Sequence, residues 1–270
     1  MIGNHFTIKI TEPTSDPSKF DDFDKILNFY GYQRFGSGRP VTHLIGKAII
    51  QRNFAEAIKL LVSFTSEYDS HQNTSLRTRL RNESNYKKLL SEIPSQMDLE
   101  KIAVTEMINH NDPLRAIKAL PITIRRFFVQ AYQSYLFNKT LIMAFENGED
   151  LFNPQEGDVC FDKNRILGKF VKGLDQTLSI PMVGYAYYKK TRFHYYISKI
   201  LEYEEINPKD FYLKEIQELS NEGGYRNSSI TCTNHSINDS VISLSLSRGS
   251  FATIVLREII KPSDPIRSGF

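Results

Sequence analysis

Apolar and polar positions alternate at the start of the chain, with Phe6, Ile8 and Ile10 on one side, so residues 5–11 are expected to form a half-buried strand. The period then lengthens. Pro17-Ser18 opens a short helical stretch with Phe20, Phe23 and Leu27 on one face. Thr42 can cap a helix that turns Leu44, Ile45, Ala48 and Ile49 inward, and Asn53 can cap another carrying Phe54, Ile58, Leu61 and Val62. Helical spacing persists from about 76 to 120, broken at Pro94 and Asp112-Pro113, and the longest helical run is Ile122 to Glu146. Beyond Pro154 the texture changes. Short apolar runs (Val159 to Phe161, Ile166 to Val171, Ile180 to Tyr185) alternate with Gly and Pro and read as short strands. Two helices are expected near 192–204 and 208–220, a break at Gly223-Gly224, paired strands at 229–234 and 240–247, and a closing helix from Gly249 to Lys261. Strand, helices, strands, helix is the order of an α+β protein, and no internal repeat interrupts it.

Composition narrows the class. At 270 residues, with 40% apolar positions, 18 Phe and 14 Tyr, the chain can bury a large core, which excludes general disorder. Cys160 and Cys232 form no CxxC pair, which excludes a disulfide scaffold and a zinc ribbon. The six histidines have no metal-ligand spacing, and no Ser/His/Asp or Cys/His set stands out. MIGNHFTIKI is neither a signal nor a transit peptide, and no apolar run reaches the length of a membrane span, so a cytoplasmic protein without a membrane partner is expected. Nothing in the pattern specifies an oligomeric state.

The net charge of +3 says less than its distribution. Arg77, Arg79, Arg81, Lys87 and Lys88 fall between Thr74 and Leu90 against one acid, Glu83. Lys189, Lys190, Arg192 and Lys199 fall between Tyr185 and Ile200 against none, interleaved with five tyrosines and Phe193. Such tracts are either solvated helix faces over core tyrosines or contacts to the phosphates and unpaired bases of a nucleic acid.

The loop Asn28-Phe29-Tyr30-Gly31-Tyr32-Gln33-Arg34-Phe35-Gly36 is the most informative stretch. It combines two amides, an aromatic cluster and an arginine between flexible glycines. Amides can read a base edge, rings can stack on a base, and Arg can hold a phosphate or a carboxylate. An aromatic hairpin packed on the core fits the same residues. The glycine spacing is that of neither a P-loop nor a dinucleotide fingerprint. Gly223-Gly224-Tyr225-Arg226 reads as a turn with a basic residue, and Ser247-Arg248-Gly249-Ser250 as the start of the last helix, open either to an anion or to a simple cap.

NFYGYQRFG resembles the NYFGxQRFG motif of TruD-type tRNA pseudouridine synthases. Three further blocks are similar to that family in the same order. They are Gly3-Asn4-His5-Phe6-Thr7 (its GNxFT strand), Ala131 to Asn138, AYQSYLFN (its xSxLFN helix), and Arg248 to Ile259, RGSFATIVLREI (its closing GSxATxxLRE helix). The resemblance spans nearly the whole chain. It implies a core with a mixed sheet and flanking helices, interrupted by a smaller inserted α/β domain. Residues 1–156 and 223–270 would form the core and 157–222 the insert.

The resemblance implies isomerisation of a flipped-out uridine to pseudouridine in RNA, at position 13 of tRNA, with no metal and no cofactor. Tyr30 falls where the family stacks a ring on the uracil, usually with Phe. Asn28 would orient the uracil or the catalytic aspartate, Gln33, Arg34 and Phe35 would shape the loop and its RNA contacts, and Arg226 and Arg257 are candidates for the RNA backbone, with a core ion pair to an acid on the sheet the equal alternative for Arg257. The family's aspartate lies in a GxKDxxAxTxQ motif upstream of GNxFT, and no such motif occurs among these residues. Asp21, Asp22 and Asp24 lie on the polar face of an expected helix and are poor substitutes. The expectation is therefore a synthase whose catalytic Asp lies outside this chain, with the N-terminal part of the core missing and the chain itself inactive. The alternative is a non-catalytic RNA-binding relative.

Overall fold

The computed structural model describes residues 3–10, 25–238, 241–247 and 249–270. The helix expected from Pro17, the acids Asp21, Asp22 and Asp24, and Arg248 lie outside the described residues. The elements are β1 (Gly3–Lys9), β2 (Lys25–Leu27), α1 (Thr42–Ile50), α2 (Phe54–Ser63), α3 (His71–Leu80), α4 (Tyr86–Leu89), α5 (Asp98–His110), α6 (Pro113–Ala119) and α7 (Ile122–Glu146). They continue with β3 (Val159–Asp162), β4 (Leu167–Lys169), β5 (Gln176–Met182), α8 (His194–Tyr203), β6 (Gly224–Asn227), β7 (Ser229–Asn238), β8 (Val241–Ser247) and α9 (Ala252–Ile260).

The strands form two four-stranded sheets, in the orders β1-β8-β7-β2 and β4-β3-β5-β6. The expected sheet was mixed; every strand pairing among the described residues is antiparallel. Only Ser228 separates β6 in one sheet from β7 in the other. It is fully buried, its N–H donates to Leu178 O (3.0 Å), and its hydroxyl donates to Leu151 O (2.6 Å). The chain thus crosses between sheets at one residue whose polar groups are all satisfied, as burial requires.

Each sheet has its own cover. On the first, Ile242, Leu244 and Leu246 of β8 meet Ile254, Val255 and Ile259 of α9. The alternating serines of β8 face the other way, so the period-2 pattern selects the buried face. The larger core runs from Val41 to Leu219 and unites α1–α7 with β5 and α8. Its closest approach is α1 on α7, where a Cβ at Gly46 would sit 2.0 Å from Phe128 O. Only glycine permits that contact.

Two expectations differ. Leu27 belongs to β2 and not to a helix; three residues are too few to show a period. Residues 208–220 form two short 3₁₀ segments, Pro208–Phe211 and Lys214–Leu219, not an α-helix. Leu213, Ile216 and Leu219 are buried at a spacing of three, the repeat of a 3₁₀ turn. Thr42 caps nothing with its side chain, whereas Asn53 accepts from Glu56 N as expected.

Candidate functional site

The loop after β2 is held to α7 by one side chain. Asn138 Oδ1 accepts from Tyr30 N, and Asn138 Nδ2 donates to Tyr30 O, both at 2.9 Å. This two-point clamp fixes the backbone of Tyr30 without using its ring. One helical turn earlier, Ser134 Oγ accepts from Arg34 Nε (3.0 Å), and one turn before that Gln130 Oε1 stands 3.4 Å from Arg34 Nη2. Positions 130, 134 and 138 lie four apart, on one helix face. The loop closes at Gly36, where φ is +108° and a Cβ would lie 2.3 Å from Arg39 O. No side chain fits that turn.

Tyr30 is half-buried. The edge of Phe137 approaches its ring at 5.8 Å between centroids and Phe251 at 6.1 Å, and its hydroxyl donates to Met182 Sδ (3.5 Å). Arg226, on β6, lays its guanidinium 3.9 Å from the Tyr30 centroid, and Arg34 lies at 5.4 Å. Arg226 donates to Asn28 Oδ1 (2.6 Å), Asn28 O (3.2 Å) and Gly249 O (3.1 Å). Asn28 is only 3% exposed, and its amide also donates to Asn227 O (3.0 Å), so its side chain orients Arg226.

Burial holds both Arg34 and Arg226 below the ordinary guanidinium pKa, opposed by Tyr30, and for Arg226 the nearby cations Arg34 and Arg165 add to the lowering. Among the described residues, no Asp or Glu bonds to Tyr30, Asn28, Arg34 or Arg226. Glu258 sits with Phe29, Leu27, Phe145 and Phe152 around a separate cavity of about 650 Å³, and Asp162 and Asp175 line another with Asn227.

Four of the expected site residues thus meet: Asn28, Tyr30, Arg34 and Arg226. Phe35 packs edge-on against His43 (5.2 Å), which stacks on Tyr135 (5.0 Å), so it braces the loop from behind. Gln33 is exposed, and Arg257 covers Tyr32 at 5.7 Å and stands 3.7 Å from Glu258. Ser134, Asn138 and Phe251 lie in the blocks that carry the resemblance but were given no role in the site, and Met182 was not singled out. Polar residues every fourth position inside an apolar helix were the signal for the first two.

The basic tracts divide. Arg77 is buried against Asp69 and Glu100, Arg79 is bidentate on Glu92 (2.7 and 2.8 Å), and Arg81 bonds Thr65. Two of the five cations of the first tract are thus in internal ion pairs, and Lys87 and Lys88 are exposed. In the second, Arg192 is held by Asp158 and Glu149, whereas Lys189 and Lys190 are exposed beside Tyr188. Among the described residues, no cluster of three or more His, Cys, Asp or Glu is arranged to hold a metal, and no helix is long and apolar enough to cross a membrane.

A family model described as tRNA pseudouridine synthase D (TruD) matches residues 1–259. A "Probable tRNA pseudouridine synthase D" of Pyrobaculum islandicum is 31% identical over 100% of this chain and 67% of its own length. A Methanocaldococcus jannaschii relative, "Probable tRNA pseudouridine synthase D 1", is 31% identical over 98% of this chain and 66% of its own. A solved structure of a Methanosarcina mazei protein described as tRNA pseudouridine synthase D superposes with a TM-score of 0.84 at 24% identity, over 99% of this chain and 70% of that one. The chain spans about two thirds of the length of the curated relatives it matches.

Proposed function

The chain belongs to the TruD family of tRNA pseudouridine synthases, and from that premise we propose that the Tyr30 site is the uracil-holding side of a synthase site acting on tRNA, of the uridine-13 type. The reaction breaks the N-glycosidic bond, turns the uracil and joins its C5 to the ribose. No atom is gained or lost and nothing is oxidised. The base must first leave its stack, and a ring must hold it while it turns. Tyr30 offers that ring. Arg226 already covers part of it, so an incoming base takes the free surface or displaces the guanidinium.

One observation carries this reading. Two guanidinium groups, withdrawn from water, flank the tyrosine without a carboxylate among the described residues. A desolvated cation without a counter-ion is costly, and the phosphodiesters around a flipped nucleotide would offset that cost. The remaining requirement is a carboxylate at the target ribose. We assign it to an aspartate outside these 270 residues, which makes this chain inactive alone. Residues 157–222 act as the inserted unit beside a core of 1–156 and 223–270, in a cytoplasmic protein that meets its tRNA there.

The test uses an unmodified tRNA transcript, fluorescence anisotropy, and mapping of pseudouridine by carbodiimide adducts. The chain should bind tRNA, lose affinity on Tyr30→Ala and Arg226→Gln, and form no pseudouridine. Fused to the additional segment of a longer relative, it should modify one uridine. Binding indifferent to both substitutions would overturn the site. The same lack of a carboxylate favours a second reading, an RNA-binding relative without activity, which a fused chain that binds but does not modify would select.

A further inference from the structure

Tyr185 and Tyr212 stand edge to face, 5.7 Å between centroids at 83°, and both are exposed, at 41% and 45%. With Arg52, Lys209, Lys214 and Glu215 they line a cavity of about 510 Å³. Two large rings left half in water gain nothing for the core, so their placement calls for another explanation.

The cavity is built rigidly. Arg52, just past the end of α1 at φ +58°, donates to the carbonyls of Asp210 (2.8 Å) and Tyr212 (2.6 Å). It thereby pins the segment that presents the Tyr212 ring. Asn207 and Asp210 close a reciprocal capping box at the start of the same segment, and Tyr185 N donates to Asn221 O (3.0 Å). Arg52 also stands 3.8 Å from Glu215, the one acid among the described residues that lines the cavity, and 3.9 Å from Asp210 beside it. Lys209 and Lys214 are exposed and have no carboxylate within salt-bridge distance among the described residues. Fixed aromatic faces beside free ammonium groups are the combination that binds single-stranded nucleic acid: the rings take a base and the cations take its phosphates.

Its position ties it to the Tyr30 site. Met182, whose sulfur accepts from the Tyr30 hydroxyl, is three residues before Tyr185. Three peptide units span at most about 11 Å between Cα atoms. The Tyr185 Cα thus lies within about 11 Å of the Cα of the residue that the Tyr30 hydroxyl touches. We propose that the Tyr185–Tyr212 cavity stacks a second, unpaired base of the same RNA strand, a few nucleotides from the target uridine, with Lys209 and Lys214 on its phosphates. The assignment rests on the tRNA-substrate reading above.

The experiment uses the full chain with two fluorescein-labelled probes, a tRNA transcript and an oligouridine single strand. Tyr185→Ala and Tyr212→Ala should each weaken binding by about tenfold, the size of one lost base–ring stack. Tyr185→Phe and Tyr212→Phe should bind as the parent does. Lys209→Gln with Lys214→Gln should lower the log–log salt slope by about 1.4, two single-strand phosphate contacts. If both alanine variants bind like the parent while Tyr30→Ala does not, the cavity assignment fails and the Tyr30 site stands. If the phenylalanine variants lose as much as the alanine ones, the hydroxyls matter and stacking is refuted. If the parent binds neither probe, the tRNA reading and the cavity fall together.

Discussion

Arg77 and Arg226 are the same side chain, each withdrawn from water, with opposite surroundings. Arg77, 5% exposed between α3 and α5, meets Asp69 at 3.0 Å and Glu100 at 2.8 Å, and Arg39 reaches the same Glu100 oxygen at 2.9 Å. Among the described residues Arg226 meets carbonyl and amide oxygens and the rings of Tyr30, Phe137 and Phe251. The first arrangement is electrically closed. Its residual strain appears on the acid, because burial holds the Glu100 carboxyl above its ordinary value against the pull of Arg77. The second is open, and burial falls on the cation itself. A closed pair locks helices together; an open cation is a receptor. Arg77 lay in a basic tract and Arg226 in a glycine turn, and neither setting disclosed the partner that distinguishes them.

The largest expected effect breaks the closed pair. Arg77→Met should cost about 3–5 kcal/mol of stability by denaturant unfolding, because it takes the cation from Asp69 and leaves the buried Glu100 with Arg39 alone. Arg226→Met should cost about 1 kcal/mol or less, since relief of an unpaired charge offsets its lost hydrogen bonds. It should nevertheless weaken tRNA binding. Equal losses of stability at the two positions would show that Arg226 is structural too.

Next in size is the ring beneath Arg226. Tyr30→Ala should weaken tRNA binding by about 1–3 kcal/mol, and Tyr30→Phe should retain it, because stacking needs the ring and not the hydroxyl. An anisotropy titration in which Ala and parent coincide would separate Arg226 from any role in a base site.

Much of the scaffold was legible. The period along Ile122–Glu146 matched α7 at both ends, and the alternation of Ile242, Leu244 and Leu246 gave the buried face of β8. β2 and the 3₁₀ turns at 208–219 were not, being too short or of the wrong period for a helix template. Of the site, the loop stood out by composition, whereas its geometry did not. Asn28 and Arg226 are 198 positions apart, Tyr30 and Asn138 108 apart. Local periodicity carries no record of such pairs. Arg77 was misleading for the same reason: its acids lie at positions 69 and 100, outside the tract that made it look free.

A third desolvated group extends the comparison to pH. His43, between Phe35 and Tyr135, has a buried Nδ1 without a hydrogen-bond partner, and burial lowers its pKa from 6.5 to about 4, against the pull of Glu204. Between those values the unfolded chain takes up a proton that the folded chain refuses. Stability is therefore fully present above about pH 6.5 and falls as pH drops toward 4. The loss should be about 1–2 kcal/mol, allowing for the ring's remaining exposure. His43→Phe should flatten that part of the profile, measured by urea unfolding at several pH values; an unchanged slope would move its cause elsewhere.

The smallest effect concerns the surface. If ion pairing closes the first basic tract, Arg79→Gln should leave the salt dependence of tRNA binding unchanged, because its guanidinium already faces Glu92. Lys189 and Lys190 are exposed beside Tyr188, and burial, with Tyr188 nearby, pushes the Tyr225 phenol up to about 12. Tyr225 precedes Arg226 on β6, so these lysines stand near the strand that carries the open cation. Lys189→Gln with Lys190→Gln should reduce the log–log salt slope by about 1.4, at about 0.7 per single-strand phosphate contact. The opposite result, a slope that responds to Arg79 and ignores both lysines, would put the RNA on the α3 face and detach it from Tyr30.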